Sequence, residues 1–224
     1  MVNHGALERF APRAGMLGSV VIGACSLIAA LAYRGVDGEA YSPLNHFVSE
    51  LGEPGVSALA PVFNAGLLVG GACFATWMVG LGAIRGGVIG WAFGLLGAVA
   101  GVAASLVGVF PLDQVEGHQA AAFTFFNLGW IAITLASVDI LVHPDRRFPF
   151  RTGIAGLIAA AGFVGFIWAY AVVSSGSSRT LEPVANRPDL DVVAAFEWAA
   201  ILGTIAWTFV GGLAWVRASR VGVA

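Results

Sequence analysis

A group of residues suited to acid–base or metal chemistry follows the first apolar stretch of this 224-residue chain. His46, Ser49 and Glu50 lie within the segment 41–52, at spacings that place them on one side of a short helix. Four apolar residues recur at i, i+3, i+4 and i+7 on the opposite side: Leu44, Phe47, Val48 and Leu51. The segment therefore predicts a short interfacial helix, whose polar side either lines a site or faces water.

Two distant parts of the chain carry similar groups. Asp113 and His118 lie in a turn and at the start of the apolar stretch that follows it. Glu197 lies about 9 Å beyond Asp191, the predicted N-cap of the last apolar stretch, at 1.5 Å per helical residue. A carboxylate inside a membrane span is unfavourable against lipid, so we expect Glu197 to face the bundle interior.

These groups together predict a site whose chemistry the sequence leaves open. His46, Asp113 and His118 have the side chains to hold a divalent metal such as zinc, which could activate water. The predicted catalytic residues are Ser49, Glu50, Asp113 and Glu197. The alternative is a structural polar network that closes the outer loops and binds no metal.

The composition indicates the elements that must position this site. Hydrophobic residues make up 58% of the chain and charged residues 11%, against about 25% charged in soluble domains. Mean hydropathy is +0.85, which excludes a disordered chain and argues against a soluble one. Six segments reach the ~20 residues that cross a bilayer: 14–33, 57–83, 87–110, 119–142, 152–175 and 192–216. We predict an all-α six-helix transmembrane bundle forming one integral membrane domain over residues 1–224.

The arginines predict the orientation. Eight fall on one side of the predicted membrane: Arg9, Arg13, Arg85, Arg146, Arg147, Arg151, Arg217 and Arg220. Three fall on the other side: Arg34, Arg179 and Arg187. The positive-inside rule then puts both termini in the cytoplasm and segments 34–56 and 176–191, the latter with Glu182, outside. Asp139 is expected to pair with Arg85 or Arg151.

Small and aromatic residues predict how the helices pack. Glycines form a stripe along the third span: Gly87, Gly90, Gly94, Gly97, Gly101 and Gly108. Small residues let helix backbones approach closely in lipid, so this span is predicted to be a central packing helix. Trp77 and Trp215 are expected in an interfacial aromatic belt and Trp207 in the core. Asn64 and Asn127 are expected to hydrogen-bond between helices.

Three motifs carry a family resemblance: His-Phe-Val-Ser-Glu-Leu-Gly at 46–52, Phe-Asn-x-Gly-Leu at 63–67 and Phe-Pro-x-Asp-(x)4-His at 110–118. They resemble those of an uncharacterised prokaryotic family of six-span membrane proteins, catalogued as domain of unknown function 998. The resemblance implies that fold and marks as site residues His46, Ser49, Glu50, Asp113 and His118. A looser likeness, in residue types only, is to the transmembrane hydrolase superfamily of alkaline ceramidases, which use Ser, Asp and His around zinc. Glu197 and Trp198 stand where that superfamily has paired histidines.

Three functions follow as hypotheses. The first is an enzyme of the prokaryotic plasma membrane, a metal-dependent hydrolase acting on lipid-like substrates at the outer leaflet. The second is a non-catalytic membrane subunit or lipid-binding scaffold, with a membrane-protein partner or in a homo-oligomer. The third is a small-molecule transporter, disfavoured because the spans carry few polar residues. Membrane lipids are the expected partners, and a net charge of −2 gives no reason to expect nucleic acid.

Overall fold

Long helices dominate the computed structural model, which describes residues 4–173 and 184–221. The long helices are α1 (His4–Ala32), α2 (Ala60–Arg85), α3 (Gly87–Val109), α4 (Val115–Val142), α5 (Phe150–Val173) and α6 (Val192–Val221). Two short 3₁₀ helices, η1 (Val48–Gly52) and η2 (Val184–Asn186), lie in the longer connections. No strand occurs within the described ranges. Arg179 and Glu182, both predicted to be on the outer side, lie outside the described residues.

Each of the six long helices is long and apolar enough to cross a membrane. This confirms the predicted all-α bundle of six spans. Five spans begin within a few residues of their predicted starts, whereas α1 begins at His4 rather than near residue 14. The extra turns carry Glu8, Arg9 and Arg13, which are good helix formers and extend the helix beyond its apolar part.

The helices pack as a closed ring in chain order, with α1 also packing against α6. Glycines bring α2 and α3 together, as the glycine stripe predicts. A Cβ built on Gly82 would lie 2.5 Å from the Gly90 carbonyl oxygen, and one on Gly101 would lie 2.6 Å from the Ala75 amide nitrogen. Backbone therefore meets backbone at these crossings, and a larger residue would force the two helices apart.

The tryptophans near one end of the bundle differ from the prediction. Trp77 and Trp215 are fully buried, with ring centroids 5.7 Å apart, and do not lie in an interfacial belt. Trp207 is also buried, as predicted, 6.2 Å from Trp77. The position of a tryptophan along its helix does not tell whether the ring faces the bundle interior or the outside, and Trp77 and Trp215 face the interior.

The two ends of the bundle differ in structure. At the base end, where α2 meets α3, Arg85 forms ion pairs with Asp139 and Asp145, which confirms the Arg85–Asp139 pair. The loop end holds the 33–59 connection, the turn between α3 and α4, and the start of α6. The predicted site residues lie at this loop end.

Candidate functional site

The segment 41–52 lies at the loop end but is not one continuous helix. Residues 43–45 form a turn, Phe47 is extended (φ −69°, ψ 149°), and only Val48–Gly52 form the 3₁₀ helix η1. The Phe47 carbonyl accepts a 3.0 Å hydrogen bond from the Tyr41 hydroxyl, and its amide donates one to the Glu50 carboxylate. These side-chain bonds replace the helical backbone bonds, which explains why the predicted helix breaks at Phe47.

The apolar face of the segment is buried only in part. Phe47, Val48 and Leu51 are buried in the bundle, whereas Leu44 is 53% exposed. Asn64 of α2 holds η1 in place by donating a 2.9 Å hydrogen bond to the Gly52 carbonyl. Asn127, by contrast, bonds to Phe123 in its own helix, so the expected interhelical role is wrong for that residue.

Glu50 forms a buried ion pair with Arg187, which follows η2. Both side chains are about 97% buried, and Arg187 also donates a 3.1 Å hydrogen bond to the Asn45 carbonyl and lies over the Phe47 ring. Burial raises the pKa of the Glu50 carboxyl, while Arg187 opposes that shift. The sequence did not predict this pair, which links residues 137 apart. The pair joins the connection between α1 and α2 to the connection between α5 and α6.

His46 lies in an aromatic enclosure formed by Tyr33 and Tyr41, with ring centroids 5.4 and 5.0 Å away. Its Nδ1 lies 3.2 Å from the Ser42 amide nitrogen and 2.8 Å from Asn45 Oδ1, and its buried Nε2 lies 3.9 Å from the Glu39 carboxylate. Burial lowers the pKa of His46, and the nearby Arg187 charge lowers it further. His46 is thus packed within the loop and is not among the residues that line the loop-end cavities.

Asp113 is exposed in the turn before α4. Burial is the largest cause of the raised pKa of Glu53, and the negative charge of Asp113 is the next largest. Asp113 is exposed whereas Glu197 is buried, and Asp113 is not among the residues that line the cavities beside Glu197.

Glu197 faces inward, as its position within a span predicts. Asp191 caps α6 by accepting hydrogen bonds from the Val193 and Ala194 amides, which sets the start of the helix. Glu197 is 8% exposed, and its Oε2 accepts a 2.7 Å hydrogen bond from the Val48 amide of η1. Its other carboxylate oxygen has no hydrogen-bond partner among the described residues.

Ser49, His118 and Glu197 line two adjoining cavities of about 40 and 60 Å³. His118 Nδ1 lies 3.0 Å from the Phe110 carbonyl, an acceptor, so Nδ1 carries the proton and Nε2 is left as an acceptor. Within the described chain, neither His118 Nε2 nor the Ser49 hydroxyl has a hydrogen-bond partner. Three side chains with polar atoms that lack a hydrogen-bond partner thus line the same two small cavities at the loop end. We call this group the head site (Ser49, His118 and Glu197).

An apolar cavity of about 60 Å³ lies next to the head site, towards the middle of the bundle. It shares Leu67, Ala104, Phe125 and Ile201 with the cavity above it. Ser19 and Thr204 line it, but each donates its hydroxyl to a carbonyl of its own helix. The three spaces lie next to one another, with polar groups lining the loop end and apolar walls beyond, and together we call them the apolar path.

No group of three or more His, Cys, Asp or Glu residues that could hold a metal occurs within residues 4–173 and 184–221. Of the three predicted metal ligands, His118 lines the cavities, His46 lies in its aromatic enclosure and Asp113 is exposed. The geometry therefore gives the zinc hypothesis no support.

Comparison with known proteins identifies the chain only at the level of family. Neither the curated proteins nor the solved structures gave a match, so the looser likeness to alkaline ceramidases has no support. The family described as "Protein of unknown function (DUF998)" matches residues 21–214, which include α2 to α5 in full, parts of α1 and α6, and every residue of the head site. The chain therefore belongs to this family of proteins of unknown function.

Proposed function

We propose that the protein binds a lipid-like amphiphile, with the polar group of the ligand at the head site and its chain in the apolar path. The observation that carries the proposal is the set of uncommitted polar atoms at the head site. Buried polar groups are nearly always hydrogen-bonded in proteins. Ser49, His118 and Glu197 are each at least 92% buried and line the same two cavities with polar atoms that have no partner, which favours a ligand there, or water that a ligand displaces.

The chemistry of the head site favours a neutral or cationic ligand group with hydroxyl or amine donors. The free oxygen of Glu197 and Nε2 of His118 are both acceptors, whereas the Ser49 hydroxyl can donate or accept. The cavity walls beyond them are apolar, as a methylene chain requires. Each cavity exceeds the roughly 10–15 Å³ that holds one water molecule, yet none exceeds about 60 Å³, so a single chain is the most that the three could take.

Hydrolysis of such an amphiphile is the second candidate function. The His118 tautomer favours it, because an acceptor Nε2 in a cavity can act as a general base. His118 would take a proton from water as the water oxygen attacks an ester carbonyl carbon. The bond to the alcohol would then break, and His118 would return its proton to the leaving oxygen. No hydrogen bond joins Ser49, His118 and Glu197 to one another, so water rather than Ser49 is the proposed nucleophile.

The proposal also covers the orientation of the protein in the membrane and the membrane in which it lies. The chain is a multi-pass membrane protein by its six spans. The arginine distribution favours cytoplasmic termini in a prokaryotic plasma membrane, which would put the head site near the outer leaflet.

Lipid analysis of the purified protein tests the proposal. Protein purified in mild detergent and washed would be extracted, and the retained lipids quantified per protein by mass spectrometry. Glu197→Gln should lose most of the retained amphiphile, whereas Glu116→Gln, the same change at an exposed residue of α4, should retain it. His118→Ala and His143→Ala form a second matched pair, since His143 is 70% exposed at the base end. Equal lipid content in all five proteins would contradict the proposal.

A further inference from the structure

A second cavity with a different character lies at the base end, between the start of α5 and the end of α6. It has a volume of about 500 Å³, and three arginines from three elements line it. Arg146 belongs to the connection before α5, Arg151 to the first turn of α5, and Arg217 to the last turns of α6. We call this space the arginine cleft.

The three guanidinium groups of the cleft have no carboxylate within 4.0 Å among residues 4–173 and 184–221. Three other arginines do pair with carboxylates: Arg85 with Asp139 and Asp145, Arg147 with Glu8, and Arg187 with Glu50. Like charges gathered around one cavity repel each other, and a bound anion relieves that repulsion. The first turn of α5, which carries Arg151, adds the partial positive charge of a helix N-terminus.

The other walls of the cleft indicate what kind of anion fits. Val210 and Leu213 of α6 and Pro149 before α5 form an apolar side, and Val210 is 40% exposed. Ile154, one turn into α5, is 44% exposed. An anionic group in this cleft would therefore lie beside surfaces that face hydrocarbon in a membrane. Guanidinium groups match the geometry of phosphate oxygens.

We propose that the arginine cleft binds the phosphate of an anionic phospholipid headgroup, whose acyl chains lie along the exposed apolar flanks of α5 and α6. The site is independent of the head site, from which it is separated by the length of the bundle. It would be occupied by a lipid of the leaflet at the base end, which the arginine distribution assigns to the cytoplasmic side.

Native mass spectrometry of the full chain in neutral detergent tests this proposal. Dioctanoyl phosphatidylglycerol is the probe, dioctanoyl phosphatidylcholine is the zwitterionic comparison, and inorganic phosphate is the free anion. Arg151→Gln/Arg217→Gln should weaken phosphatidylglycerol binding about 25-fold, at about fivefold per arginine. Arg13→Gln/Arg147→Gln removes the same charge at the same end and should change binding less than about twofold, because neither residue lines the cleft.

Three results would overturn the proposal. Equal losses in the two double variants would show general electrostatic attraction without a site. Equal binding of phosphatidylcholine would show that the anionic headgroup is not recognised. Binding of inorganic phosphate as tight as that of phosphatidylglycerol would assign the cleft to a free anion. All the replaced arginines are exposed or half-exposed, and the single variants Arg151→Gln and Arg217→Gln, each expected to lose about fivefold, keep the test usable if a double variant unfolds.

Discussion

Glu50 and Glu197 are both buried at the loop end, yet their surroundings differ completely. Glu50 has a cation and a backbone amide as partners, so its carboxylate is neutralised within the protein. Glu197 accepts one backbone hydrogen bond and presents its other oxygen to a cavity. Removing one partner of a buried ion pair is strongly destabilising, whereas a buried polar group without a partner is open to a ligand or to water. The comparison separates structure from function among residues that looked alike in sequence.

The largest expected effect comes from removing the cation beside Glu50. Arg187→Ala leaves a buried carboxylate without its partner and should lower the free energy of unfolding by about 3–5 kcal/mol. Denaturant titration in mild detergent, followed by tryptophan fluorescence, measures this. Arg147→Ala is the control, because its pair with Glu8 is partly exposed and should contribute less than about 1 kcal/mol. The double variant Glu50→Leu/Arg187→Met should recover most of the loss, and failure to do so would argue against the pair as the cause.

A smaller loss is expected where η1 meets α2. A Cβ on Gly52 would lie 2.2 Å from Asn64 Oδ1 and 2.9 Å from the Phe63 ring. Gly52→Ala should therefore lower the free energy of unfolding by about 1–3 kcal/mol through overpacking. Gly23→Ala, with no atom within 4 Å of the new Cβ, should be neutral or slightly stabilising. A neutral Gly52→Ala would mean that η1 is not held in the position described here.

The pH dependence of stability tests the enclosure of His46. Its pKa in the folded state is below the ordinary value, because burial and Arg187 disfavour the charged form more than Glu39 favours it. Between about pH 7.5 and pH 6, the unfolded chain therefore takes up a proton that the folded state does not, and stability falls. The slope from His46 should be at most about 1.4 kcal/mol per pH unit. His46→Gln should flatten it, while His143→Gln should not; the same slope in wild type and His46→Gln would contradict the account.

The smallest expected change in stability is at Ser49. Its hydroxyl has no hydrogen-bond partner among the described residues, so Ser49→Ala should alter the free energy of unfolding by less than about 0.5 kcal/mol. Ser105→Ala should lose about 1 kcal/mol, since that hydroxyl donates a 2.9 Å hydrogen bond to the Leu68 carbonyl. If Ser49 belongs to the head site, Ser49→Ala should nevertheless reduce the retained amphiphile. A stability loss as large as that of Ser105→Ala would instead assign Ser49 to the structural network.

The sequence predicted the spans well because each apolar run had to be about as long as the bilayer is thick. It also predicted that Glu197 faces inward, since a carboxylate must avoid lipid. It could not predict the Glu50–Arg187 pair, because pairing across 137 residues depends on how the loops fold over the bundle. The predicted helix at 41–52 failed for a related reason, since Tyr41 and Glu50 bind the backbone of Phe47 more favourably than a helix would.

The sequence predicted which end of the bundle holds the candidate site residues, but not which of them contact one another. His46, Asp113 and His118 share one end of the bundle, yet their surroundings are an aromatic enclosure, solvent and a cavity respectively. Sequence spacing along a helix gives depth, whereas the lateral position of each side chain depends on the packing of other elements. The apolar cavity lined by Phe125 and Ile201 left no signal in the sequence, since apolar lining residues resemble any other core residues.

Photocrosslinking tests the central claim that an amphiphile occupies the path below Glu197. The protein would be incubated with a lipid that carries a diazirine near the end of its chain, irradiated, digested and mapped by mass spectrometry. A lipid chain in the apolar path should label Phe125 and Ile201 inside the bundle, and this labelling should be lost in Glu197→Gln and kept in Glu116→Gln. Labelling confined to outward residues such as Leu202, which is 53% exposed, with no dependence on Glu197 would contradict it.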